Sequence, residues 1–146
     1  MLSIEQQIEQ NGIYVGLTKG VSMRPMLREG KDTIIISPIV GRLRKYDVPL
    51  YRKRGSYVLH RVVEVTDKGY VICGDNCMAK EYDVTDGMLV GVLSGFRRGD
   101  KYVSVDSKGY LAYAKIWVAF YPVRRLAMSA KAFVGRIVRR IFQRKI

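Results

Sequence analysis

Three short clusters hold residue types that could do covalent chemistry on an acyl group. The first is Gly20-Val21-Ser22-Met23-Arg24-Pro25-Met26-Leu27, a serine placed just after an extended run. The second is the single histidine, His60, inside the apolar run Tyr57-Val58-Leu59-His60-Arg61-Val62-Val63. The third is Gly74-Asp75-Asn76. A serine hydroxyl is a weak nucleophile until a neighbouring base takes its proton, and its reaction needs backbone N–H donors where the oxyanion develops. Histidine is the side chain that titrates unaided near neutrality. A buried lysine is the alternative base, but none lies between Tyr57 and Glu64, and Lys53, Lys68 and Lys80 read as solvent-exposed. If Ser22 reacts, His60 is the histidine available to it.

The elements that must position these groups are mostly strands. Ser3 followed by Gln6, with Ile4 and Ile8 on one face and Gly12 as a stop, predicts a short capped helix over about 3–11. Tyr14 to Thr18 reads as extended and Thr33 to Ser37 is a β-branched run; Tyr46 to Arg52 is a short strand whose Pro49 suggests an edge. Tyr57 to Thr66 and Tyr70 to Gly74 flank the turn Asp67-Lys68-Gly69. Met88 to Arg97 and Lys101 to Val105 flank Arg98-Gly99-Asp100 in the same way. Closely spaced strands without intervening helices predict a mainly β, antiparallel and partly closed domain over residues 1–107. Ser22 would then sit where a strand ends, with Pro25 in the first turn of a short helix, and the serine oxygen would project beside free N–H groups. Pairing of the strands around Asp67-Lys68-Gly69 would bring Asp75 within reach of His60, where a carboxylate would hold the imidazole tautomer.

Taken together, the clusters resemble the signal peptidase I family, whose clan includes the LexA-type self-cleaving repressors. The stretch from Gly20 to Leu27 resembles the box around the nucleophile, and His60-Arg61-Val62-Val63 the box carrying the general base in its histidine form. Gly74-Asp75-Asn76 resembles the family's G-D-N box. The resemblance spans roughly residues 12–95. It implies a β domain of the signal-peptidase/LexA type and cleavage after small residues in an extended leader or signal-type peptide. Ser22 would form the acyl-enzyme, His60 would take its proton, and Asp75 would orient His60, with Asp83 the alternative acid. It also implies an oxyanion and substrate site around Gly20, Val21, Met23 and Pro25. Where some members carry a hydroxyl residue two places before the nucleophile, this chain has Gly20. The oxyanion donors are therefore expected to be backbone amides, Ser22 first among them. The substrate would add as a strand beside the run leading to Ser22 and beside Thr33 to Ser37.

Composition bounds the alternatives. At 146 residues, the chain has the length of one domain. Its formal net charge is +13, but residues 110–146 hold nine of the 26 Lys and Arg and no acid, so the remainder is close to balanced. In that basic stretch Pro122 interrupts an apolar run, after which Leu126, Ala130, Phe133, Val134, Ile137, Val138 and Ile141 fall on one helical face. Arg125, Arg136, Arg139 and Arg140 fall opposite, which predicts a basic amphipathic helical tail over 108–146. Such a tail, with Trp117, Phe120, Tyr121, Phe133 and Phe142, suits either an anionic membrane surface or packing on the β domain. No helix-turn-helix or stacking motif points to specific nucleic-acid binding. Cys73 and Cys77 are too few for a disulfide framework and poorly spaced for zinc, so two reduced thiols, no metal and no cofactor are expected. No apolar stretch approaches the ~18 residues of a membrane span, and the start is no secretion signal, which predicts a cytoplasmic or peripherally membrane-associated protein. Beside the peptidase stand two other readings: a self-cleaving regulator, and a non-catalytic basic protein that binds membranes or nucleic acid.

Overall fold

The computed structural model describes residues 1–143. The chain begins with helix α1 (Ile4–Asn11), where the Ser3 hydroxyl accepts from the Gln6 amide at 3.2 Å and the Ser3 amide donates to Gln6 Oε1 at 2.8 Å. Gly12, at a φ of +76°, ends it. Nine strands follow: β1 (Tyr14–Leu17), β2 (Asp32–Ser37), β3 (Pro49–Lys53), β4 (Ser56–Leu59), β5 (Arg61–Thr66), β6 (Gly69–Cys73), β7 (Glu81–Val84), β8 (Leu89–Arg98) and β9 (Lys101–Ser104). They form two antiparallel sheets, one ordered β1-β2-β8-β3-β4 with β9 added beside β8, the other β5-β6-β7. The protein is thus mainly antiparallel β, curled into a half-barrel, with a short amino-terminal helix and helices at the other end.

Alternation of inward apolar residues accounts for the sheets. In β2, Ile34 and Ile36 point into a core with Met23, Met26, Leu27, Leu50, Leu93 and Phe96. A second core gathers Leu43, Tyr51, Val62, Tyr70, Ile72 and Val84 between the sheets. Helix α2 (Lys108–Ala119), capped by Ser107, sinks Tyr110 and Ala114 into the first core. Helix α3 (Tyr121–Gln143) follows at once, with Pro122 in its first turn, where a missing N–H costs nothing. Residues 144–146 of the expected tail lie outside the described residues. Among the described residues no helix is long and apolar enough to cross a membrane.

Several expectations need correction. Pro49 does not mark an edge: β3 lies between β8 and β4, and the proline is tolerated as the strand's first residue. The run Tyr57–Thr66 is two strands, not one. It breaks at His60, so that β4 pairs with β3 in the large sheet and β5 with β6 in the small one. Pro25 opens no helix; residues 21–26 form consecutive turns, with the Leu27 amide bonded to the Met23 carbonyl at 2.9 Å. The strand β7 was not expected.

Candidate active site

Ser22 is carried on a loop, residues 18–31, that joins β1 to β2. The loop is clamped at its base. The Thr18 amide and hydroxyl both donate to the Asp32 carbonyl, at 2.9 and 2.8 Å. The fully buried Asp32 carboxylate receives Arg28 through its Nη2 at 2.7 Å and through its backbone amide at 2.9 Å. Burial disfavours that carboxylate, yet the Arg28 hydrogen bonds outweigh it and hold its pKa below the usual value. Met23, Met26 and Leu27 plug the loop into the first core.

The far side of the loop is held by the turn after β6. The Asn76 amide donates to the Ser22 carbonyl at 2.7 Å, and the Asn76 side chain to the Val21 carbonyl at 3.2 Å. Gly74 makes this approach possible. A Cβ there would lie 2.8 Å from the Ser22 carbonyl oxygen, 3.0 Å from His60 Cδ2 and 2.6 Å from Cys77 Sγ. The glycine is the gap through which the serine loop and the imidazole edge come together.

His60 sits at the break between β4 and β5, and it shares a groove of about 420 Å³ with Ser22. The walls of the groove are β1, through Tyr14 and Leu17, and β4, through Tyr57 and Leu59, with Ile34 and Leu50 between them. Both wall strands are sheet edges, each with one strand partner. No hydrogen bond joins the Ser22 and His60 side chains among the described residues.

The carboxylate against the imidazole is Glu81. Its Oε1 lies 2.9 Å from His60 Nδ1 and accepts from the Tyr51 hydroxyl at 2.7 Å, while its Oε2 accepts from Lys53 Nζ at 2.6 Å. Burial raises the Glu81 pKa, but the bonds from Lys53, Tyr51 and His60 more than reverse this, so the group stays ionised. An ionised carboxylate can only accept, so Nδ1 must carry the imidazole proton, leaving Nε2 of the neutral ring with its lone pair. Lys53 is not solvent-exposed as expected. It is mostly covered, and its bonds to Asp83 and Glu81 keep it charged, which makes it no base.

Asp75, expected beside His60, is committed elsewhere. Its two oxygens take the fully buried Arg61 guanidinium as a fork, at 2.8 Å each, and Tyr113 donates to one of them at 2.9 Å. Its carbonyl accepts from Trp117 Nε1 at 2.9 Å and Arg124 Nη1 at 2.7 Å. The residue therefore ties β5 and both carboxy-terminal helices to the turn that supports Ser22. Asp83 is an exposed partner of Lys53 at 2.8 Å, one strand period beyond Glu81.

Of the residues expected around the oxyanion, Met23 lines the groove with Ser22, whereas Pro25 lines a separate hollow with Met26 and Phe96. The Gly20 amide is spent on Glu29 Oε1 at 2.9 Å, and the Val21 carbonyl is occupied by Arg24 and Asn76. The Ser22 and Met23 amides carry no hydrogen-bond partner among the described residues, so both can donate. The run Thr33–Ser37 is not open to an added strand, because β2 is paired on both sides. The open edges beside the groove are β1 and β4. No group of three or more His, Cys, Asp or Glu that could hold a metal occurs among the described residues.

No model of a known protein family matches the chain, and no curated protein sequence matches it at a significant level.

Proposed function

We propose that the chain is a serine endopeptidase of the signal-peptidase type, with Ser22 as nucleophile, His60 as general base and Glu81 as the carboxylate that orients His60. The observation that carries this reading is one groove lined by both Ser22 and His60, whose ring is held through Nδ1 by an ionised glutamate. Proton transfer needs the Ser22 hydroxyl to meet Nε2, a bond that apo sites often form only when substrate tightens them. His60 takes the proton as Ser22 Oγ attacks the scissile carbonyl. The negative oxygen of the tetrahedral intermediate is met by the Ser22 and Met23 amides. The imidazolium then protonates the leaving amine, and water, deprotonated by His60 in turn, releases the acyl group. The substrate lies extended between β1 and β4 and uses their unpaired backbone groups. The G-x-S-M-x-P-x-L, histidine and G-D-N boxes support a cut after small residues in a leader-type segment.

The test is cleavage of a panel of leader and signal-type peptides by the full chain, compared with Ser22→Ala and His60→Ala. Loss of about 10⁴-fold or more in kcat is expected for each variant. Equal cleavage by all three proteins overturns the reading. Self-cleavage of the wild-type chain incubated alone would instead favour a LexA-like regulator.

A further inference from the structure

Helix α3 leaves the body of the protein after its first two turns. Tyr121 is buried and donates to the Met78 carbonyl, Arg124 holds the Asp75 carbonyl, and Met128 is half-buried. These three residues are spaced by three and four, so they share the face turned to the β domain. Leu126, Phe133, Val134, Ile137 and Ile141 lie on the opposite side and are all exposed. From Ser129 to Gln143 no residue is buried. The stripe therefore does not pack on its own domain, the alternative left open by the sequence. The helix carries no acid, and Arg125, Lys131, Arg136, Arg139 and Arg140 flank the stripe.

Three partners could cover such a surface, and charge separates them. A second copy meeting stripe to stripe would bring two cationic flanks together with no carboxylate on either α3 to offset them. A nucleic acid would answer the arginines but leave the apolar stripe in water. A bilayer surface bearing anionic lipids takes both, with the stripe among the acyl chains and the cations at the headgroups. We propose that α3 lies along an anionic membrane surface and attaches the protein to it without crossing. At about 1.5 Å per residue its 23 residues run for roughly 35 Å, a long shallow contact rather than a span. The attachment does not depend on Ser22 being a nucleophile.

The experiment is flotation of the full chain with vesicles of phosphatidylcholine alone or with about 30% phosphatidylglycerol, repeated with soluble duplex DNA and followed by sedimentation of the free protein. Two variants accompany it: Val134→Asp with Ile137→Asp, and Arg125, Arg136, Arg139 and Arg140 all to Gln. Every one of these side chains is exposed, so circular dichroism should be unchanged. Wild type should float with the anionic vesicles and bind at least about tenfold more weakly to phosphatidylcholine, and each variant should lose at least about tenfold on the anionic vesicles. The proposal is overturned if wild type ignores anionic vesicles or if the double aspartate variant floats like wild type. It is overturned equally if α3 drives dimers, or if α3-dependent DNA binding occurs without vesicle binding.

Discussion

His60 Nδ1 lies 2.9 Å from Glu81 Oε1, and the same oxygen takes the Tyr51 hydroxyl at 2.7 Å. Three donors converge on one carboxylate, which fixes both its rotamer and its charge. Replacing Glu81 by Gln keeps the shape but offers an amide that can donate towards Nδ1 and so stabilise the wrong tautomer. The expected outcome is a fall in kcat of about 10² to 10⁴ with little change in KM. Steady-state kinetics on the best leader peptide would show it. A Glu81→Gln variant as fast as wild type would remove Glu81 from the site, and Asp83→Asn should be nearly neutral for kcat.

Gly74→Ala places a methyl group against the Ser22 carbonyl, His60 Cδ2 and Cys77 Sγ at once. None of the first two can retreat without moving the site. A loss of about 1 to 3 kcal/mol in urea denaturation is expected, together with cleavage too slow to measure. Normal kinetics in this variant would mean that the turn and the serine loop are not held as closely as described.

The buried Arg61–Asp75 pair predicts effects on stability. Asp75→Ala leaves an unpaired guanidinium in the interior and should cost about 3 to 5 kcal/mol. Combining Arg61→Met with Asp75→Leu should cost less than the sum of the single changes, a coupling readable from a double-mutant cycle in urea. Additive losses would contradict the pairing.

Asp32 should give the protein part of its acid sensitivity. Its pKa is depressed in the folded chain despite burial, because Arg28 and the Arg28 amide hold the charged form. A depressed carboxyl stabilises fully above its unfolded value of about 3.9, and the contribution is lost as the pH falls through the folded value. The Tm difference between wild type and Asp32→Asn should therefore be largest at neutral pH and shrink below about pH 4. A difference that stays constant down to pH 2.5 would dismiss the mechanism.

Most of the strand pattern, the capped helix and both hairpin turns were legible in the sequence, because each rests on local chemistry: Ser3 with Gln6, Asp67-Lys68-Gly69, Arg98-Gly99-Asp100. Ser22 and His60, singled out by residue type and spacing, line one groove. Glu81 escaped because β7 is four residues long, largely exposed and without an apolar run. The signal was there in Glu81-Tyr82-Asp83, whose alternation puts Asp83, the acid considered, on the same face as Glu81, the acid that reaches. Asp75 misled for a different reason. Nothing local shows that Arg61, one residue past the histidine, turns inward and claims it.

A groove walled by two lone strand edges has the shape for an extended backbone and not for a packed one. On the peptidase reading, the rate at which a folded protein is cut is then governed by how often that protein frays at the susceptible segment. Selectivity lies partly in the substrate's own opening equilibrium. On that reading, a nascent or membrane-bound leader, never folded, would be cut at the full chemical rate, while the same residues in a stable domain would survive in proportion to their protection.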